Sequence, residues 1–92
     1  MVEEVIWTEQ ASLDFRQVLV YLYEEWNYNI EIEFYNRVFE VIELIRGFPE
    51  IGSLIIRRPG TRKFLITRFN YIVYRISDNK LYILSFLDTR MK

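Results

Sequence analysis

The sequence has 92 residues, 51% of them hydrophobic and 17% aromatic, so one domain with a compact core is expected over residues 1–92. It contains no cysteine and no histidine, which excludes a disulfide framework and the commonest metal ligands, so we expect neither metal nor cofactor. The net charge of −1 conceals an asymmetry between the two halves of the chain. Residues 1–50 hold three basic and eleven acidic residues, whereas residues 51–92 hold nine basic and two acidic ones.

The chain opens with a predicted strand followed by an amphipathic helix. Residues 5–8 have the β-branched and aromatic bias of a short strand. Thr8 occupies the position of a helix N-cap, and Glu9 would complement the positive end of the helix dipole. The pattern predicts a helix over residues 9–26. Its buried stripe, at spacings of three and four, is Ala11, Phe15, Val18, Leu22 and Trp26.

A second helix is predicted after a break at residues 27–29, with Asn29 as its cap. Gly47 can adopt the left-handed conformation that closes a helix, and Pro49 prevents continuation. So short a link between two amphipathic helices predicts an antiparallel hairpin. The buried stripe of the second helix is Phe34 or Tyr35, Val38, Val41, Ile42 and Ile45.

The period changes to two after a predicted loop over residues 50–61. Three strands are predicted, at residues 62–67, 71–76 and 81–87, and Asp78-Asn79 forms a tight turn between the last two. The element order β-α-α-β-β-β predicts a two-layer α+β domain, in which an N-terminal helical hairpin packs on a mainly antiparallel four-stranded sheet. The pattern leaves open where the first strand lies in the sheet.

Several short sequence segments resemble, in their order and spacing, those of the RelE/ParE superfamily of toxins from bacterial type II toxin–antitoxin systems. The segments lie at residues 5–11, 48–52, 59–64, 71–76 and 83–90, so the resemblance covers nearly the whole chain. It implies a growth-inhibiting toxin, also associated with plasmid stabilisation, that a cognate antitoxin neutralises in a hetero-oligomeric complex. It leaves two mechanisms open, since RelE-like members cleave messenger RNA on the ribosome and ParE-like members poison DNA gyrase.

The resemblance to the nuclease branch is incomplete. A nuclease without histidine or metal needs cations to stabilise the transition state and other groups to move protons. Tyr71 stands where that branch has an arginine, and residues 88–92 contain a trailing arginine but no terminal tyrosine or histidine. No catalytic residue is assigned with certainty, and the candidates for a nuclease are Arg62, Lys63, Tyr71, Arg75, Asp88 and Arg90. The simpler role of Asp88 is an ion pair with Arg90.

Residues 71–76, by contrast, are close to ParE-like sequences, so the gyrase-binding branch is favoured. The alternatives are the ribosome-dependent nuclease and an inactive module that retains only antitoxin binding. The basic C-terminal half would be the working surface, unless its charge merely attracts the acidic half, and excess aromatic residues on the helices suggest a groove for an antitoxin helix. The candidate residues for binding target or antitoxin are Arg57, Arg58, Arg62, Lys63, Arg68, Arg75, Arg90, Trp26 and Tyr28.

The sequence also predicts the compartment. No stretch reaches the roughly 18 apolar residues of a membrane span, and the first four residues are acidic at positions 3 and 4, where a secretory signal would be basic. A cytoplasmic protein that does not bind membranes is therefore expected.

Overall fold

The computed structural model describes residues 1–91 and confirms the α+β class. The elements are β1 (Glu4–Trp7), α1 (Glu9–Glu25), α2 (Tyr28–Gly47), β2 (Ser53–Leu54), β3 (Thr61–Thr67), β4 (Asn70–Ser77) and β5 (Lys80–Asp88). The two helices form the predicted hairpin and pack on one face of the sheet. Their buried faces meet Ile72, Tyr74, Leu81, Ile83 and Phe86 in a single core.

The sheet has five strands in the order β1-β5-β4-β3-β2, one more than the four predicted. The extra strand, β2, is only two residues long and pairs antiparallel with Arg62 and Lys63, inside the segment predicted as a loop. Two residues are too few for a periodic pattern, so no local signal predicts this strand. β1 lies at the opposite edge, parallel to β5, and β3, β4 and β5 form the predicted antiparallel meander.

The ends of the helices depart from the prediction at three points. The cap of α2 is Asn27, whose side chain accepts a hydrogen bond from the Ile30 backbone, so the prediction of Asn29 was wrong. Gly47 is the last residue of α2 and does not take the left-handed conformation; Phe48 caps the helix instead. Trp26 was assigned to the buried stripe, but it lies just beyond α1 and is 56% exposed.

One predicted helix cap and one predicted turn are confirmed. The Thr8 side chain accepts a hydrogen bond from the Ala11 backbone and caps α1, and its hydroxyl donates to the Ile83 carbonyl of β5. Asp78 and Asn79 both have positive φ, 51° and 59°, as a two-residue hairpin with a primed turn requires. No helix among residues 1–91 is long and apolar enough to cross a bilayer.

Candidate functional site

The face of the sheet that points away from the helices, here called the outer face, has no layer packed on it. Strand alternation and cross-strand register place Lys63 opposite Val73 on this face, Leu65 opposite Tyr71, and Tyr71 opposite Leu87. Leu65 is 47% exposed and Leu87 is 53% exposed. Both faces of the sheet therefore carry apolar residues, and the outer face combines apolar with basic side chains.

A shallow pocket of about 580 Å³ lies on the outer face. Its polar lining is formed by Arg58, Lys63, Tyr71, Ser85, Asp88 and Thr89, and apolar neighbours complete it. The Lys63 ammonium lies 5.4 Å from the centre of the Tyr71 ring, within the range of a cation–π contact. Three of the six nuclease candidates, Lys63, Tyr71 and Asp88, therefore line this one pocket. Arg75 projects from the same face of β4 and is exposed, but it does not line this pocket.

Arg62 points to the opposite, helix-covered side of the sheet. Its guanidinium donates hydrogen bonds to the carbonyls of Gly52 (2.7 Å) and Glu50 (3.1 Å) and thereby holds the loop after α2. The neighbouring Tyr74 hydroxyl accepts from the Gly52 backbone and donates to the Pro49 carbonyl. Burial raises the pKa of Tyr74 above its usual value, although the Gly52 hydrogen bond and the nearby Arg62 charge act in the other direction. These groups stabilise the loop.

Asp88 and Arg90 form a partly buried ion pair at the end of β5, with 2.8 Å between guanidinium and carboxylate. Each carboxylate oxygen accepts two hydrogen bonds: Oδ1 from the Arg90 backbone and Nε, and Oδ2 from the Arg90 guanidinium and Asn70. Asn70 in turn accepts from the Thr67 hydroxyl. Burial would raise the pKa of Asp88, but the Arg90 and Asn70 hydrogen bonds and the Arg90 charge together outweigh it and hold the pKa below 3.8. The ion-pair role predicted for Asp88 is thus present.

Arg90 also packs on aromatic rings. Its guanidinium carbon lies 4.3 Å from the centre of the Phe69 ring, 5.6 Å from that of Trp26 and 5.9 Å from that of Tyr21. The exposed Trp26 at the end of α1 is therefore tied to the C-terminal segment. Tyr28, the other aromatic binding candidate, begins α2 and is 59% exposed.

A groove runs between the helical hairpin and the β3–β4 turn, and we call it the turn groove. It has a volume of about 450 Å³. Buried Leu22, Phe34 and Ile66 form its floor, with the partly exposed Ile30 and Phe69 beside them. Its remaining lining residues are polar or charged: Glu33, Arg37, Thr67, Arg68, Asn70 and Arg90.

The binding candidates therefore divide among several places. Lys63 and Arg75 project from the outer face, and Arg57 and Arg58 lie exposed in the β2–β3 loop. Arg68 borders the turn groove with Arg90, whereas Arg62 is committed to the loop after α2. The basic half does not form a single cluster.

Sequence reasoning missed two contributors to the turn groove, Arg37 and Asn70. Arg37 lies on α2 in the acidic half, and its guanidinium Nε donates to the Ile66 carbonyl of β3. Its position four residues before Val41, which places a charged residue on the same side of the helix as the predicted stripe, was the available signal. Asn70 is buried at the start of β4, and nothing in the sequence marks a polar residue there as buried. No cluster of acidic side chains suited to a metal ion occurs among the described residues.

Comparison with known proteins agrees with this architecture. The family model described as "ParE toxin of type II toxin-antitoxin system, parDE" matches residues 5–92. No significant match is found among curated protein sequences.

Solved structures share the fold at low sequence identity. A YoeB/ParE toxin from Agrobacterium tumefaciens superposes with a TM-score of 0.70 at 16% identity, covering 94% of this chain and 98% of that one. The chromosomal ParDE system from P. aeruginosa gives 0.68 at 14% identity, with 95% and 96% covered. A chain of the E. coli DinJ–YafQ toxin–antitoxin complex gives 0.67 at 11% identity, with 98% and 96% covered.

Proposed function

Because this chain belongs to the ParE toxin family of type II toxin–antitoxin systems, we propose that it arrests bacterial growth by binding DNA gyrase in the cytoplasm and that a cognate antitoxin neutralises it. The toxin acts through a binding surface in this proposal, and cleaves no RNA. The complex with the antitoxin is a hetero-oligomer, as in the structurally similar DinJ–YafQ complex.

The observation that carries the proposal is that half of the nuclease candidates are engaged in structural contacts. Arg62 is engaged by loop carbonyls, and Asp88, which lines the outer-face pocket with Lys63, is neutralised by Arg90. Asp88 accepts four hydrogen bonds and is ionised at neutral pH, so it holds no proton to donate as a general acid. Three of the six nuclease candidates, Arg62, Asp88 and Arg90, therefore have structural roles.

The outer face supports binding for a second reason. It leaves Leu65 and Leu87 exposed beside Lys63 and Arg75, with no layer of the domain covering them. An exposed mixture of apolar and basic side chains on an otherwise well-packed domain is typical of a protein-interaction surface. We assign contact with gyrase to this face.

The proposal is tested by a supercoiling assay with purified chain, purified gyrase and relaxed plasmid. Dose-dependent loss of supercoiling is expected, with relaxation by a type I topoisomerase unaffected as the control for DNA binding alone. Reversal of charge at two outer-face positions, Lys63→Glu and Arg75→Glu, should weaken inhibition because both side chains project from that face. Arg16→Glu, an identical change on α1, should not.

A second candidate is ribosome-dependent RNA cleavage, which the Lys63–Tyr71 contact in the outer-face pocket favours. Mapping of RNA 5′ ends shortly after induction separates the two functions. New ends phased to codons, lost on Tyr71→Phe, would establish the nuclease and refute the gyrase proposal. Growth arrest without new ends, unchanged by Tyr71→Phe, is the expected result, and normal growth would instead identify an inactive antitoxin-binding module.

A further inference from the structure

The turn groove is a preformed, partly apolar cavity at a different place from the outer face. Its floor is built from core residues of both layers, Leu22 of α1, Phe34 of α2 and Ile66 of β3, so its shape is fixed by the packing of the domain. Its volume of about 450 Å³ falls within the range of roughly 300–1,000 Å³ that is usual for binding pockets. The groove can therefore receive a large side chain without rearrangement.

We propose that the turn groove is the docking site for an acidic and apolar peptide segment of the cognate antitoxin. An apolar side chain of that segment packs against Ile30 and the apolar floor of the groove, and a carboxylate of the same segment binds Arg68 with Arg37 close by. This inference rests on the proposed function, because it takes the antitoxin as the occupant.

Charge complementarity is the first argument for an acidic occupant. Three arginines and one carboxylate, Glu33, line the groove. Arg90 is neutralised by Asp88, but Arg68 is exposed and forms no ion pair with any residue from 1 to 91. Arg68 is therefore available for the two parallel hydrogen bonds that a guanidinium makes with a carboxylate.

Arg37 adds to the positive potential at low cost. Its guanidinium contacts Glu40 at 3.4 Å, and 44% of the Arg37 side chain and 65% of the Glu40 side chain are exposed. An ion pair this exposed contributes little to stability, so a carboxylate of the antitoxin can replace Glu40 at small cost. The hydrogen bond from Arg37 to the Ile66 carbonyl meanwhile holds the guanidinium at the groove.

A peptide suits the groove better than a nucleic acid does. Binding of single strands relies on open aromatic rings as stacking platforms. The Phe69 ring already has two guanidinium groups over it, Arg90 at 4.3 Å and Arg68 at 5.4 Å, so little of it is free for a base. The apolar floor favours a hydrophobic side chain, which a peptide supplies and a phosphate backbone does not.

The test begins with the antitoxin itself. Products of the reading frames that flank this gene are co-expressed with the full chain, and the product that restores growth is purified. Its affinity for the toxin is then measured by calorimetry against Arg68→Glu, Arg37→Glu and the matched control Arg16→Glu, which makes the same charge change on an exposed site of α1 outside the groove. Thermal melts verify that each variant folds.

We expect Arg68→Glu to weaken antitoxin binding at least about tenfold, and Arg16→Glu to change it less than about threefold, because a repelled carboxylate at a docking site costs far more than a distant surface charge. In a charge swap, Lys in place of the contacting acid of the antitoxin should restore affinity for Arg68→Glu.

The remaining outcomes each refute something different. An affinity unchanged by Arg68→Glu and Arg37→Glu would overturn this inference and leave the proposed function standing. Absence of any neutralising product would overturn both. If Arg68→Glu converted a dimer of this chain to monomer, or released bound RNA, with antitoxin affinity intact, the occupant would be a second copy or a nucleic acid, and the inference would be wrong.

Discussion

Replacement of Asp88 by Asn probes the most highly connected polar group in the structure. The substitution keeps the shape of the side chain and converts one acceptor oxygen to an amide donor. Each Asp88 oxygen accepts two hydrogen bonds. Whichever oxygen becomes the amide nitrogen, that nitrogen is itself a donor and lies opposite two N–H groups that have lost their acceptor. Asn70 cannot relieve this by rotating its amide, since its own oxygen accepts from Thr67.

The cost follows from burial and charge. Loss of hydrogen bonds to a charged, buried acceptor costs about 1.5–3 kcal/mol each, but relaxation recovers part of this. The Arg90 side chain retains 20% exposure, so the full penalty of roughly 3–5 kcal/mol for an orphaned buried charge does not apply. We expect Asp88→Asn to lower the free energy of unfolding by about 2–3 kcal/mol, which lowers Tm by roughly 10–20 °C for a domain of this size.

The effect depends on pH in a defined direction. Because the folded state holds the pKa of Asp88 below 3.8, its ionisation stabilises the protein above that pH, and the stabilisation is lost as the pH falls through the folded-state pKa. Urea unfolding at pH 7, 5 and 3 should therefore give a difference between wild type and Asp88→Asn that is constant from 7 to 5 and smaller at 3. Asp78→Asn, the same change in an exposed turn, is the control. A loss below about 0.5 kcal/mol at pH 7, the range of ordinary surface changes, would refute this account of the ion pair.

Three further predictions concern the loop after α2 and are checked by urea unfolding. Tyr74→Phe leaves the Gly52 N–H and the Pro49 carbonyl without their partner, so a loss of about 1–3 kcal/mol is expected, whereas Tyr23→Phe on the exposed side of α1 should cost nothing measurable. Gly52→Ala should cost about 1–3 kcal/mol by overpacking, since its Cβ would lie 2.7 Å from the Tyr74 hydroxyl and 2.9 Å from a backbone carbonyl of β3. Gly47→Ala should instead raise stability by up to about 1 kcal/mol, because its Cβ meets nothing within 4 Å and alanine favours the helix. A neutral Tyr74→Phe or Gly52→Ala, or a destabilising Gly47→Ala, would contradict the packing described.

The elements whose signals are local could be predicted. The Thr8 cap, the Asp78-Asn79 turn and the changes of hydrophobic period depend on neighbours a few residues away, and the structure confirms them. Asn27 shows the limit of such signals, because either it or Asn29 satisfies the chemistry of a cap, and the choice depends on how the two helices pack. The class of fold and the resemblance to the toxin superfamily were accessible in the same way, since both depend on the order of the elements.

The candidate site was decided by tertiary structure. Alternation along β3 places Arg62 and Lys63 on opposite faces, but the pattern alone cannot say which face the helices cover, because both faces carry apolar residues. Only the folded chain turns Arg62 to the loop carbonyls and leaves Lys63 beside Tyr71 on the outer face. Sequence supplied the cations and the carboxylate, and long-range packing determined which of them neutralise one another and which remain available to a partner.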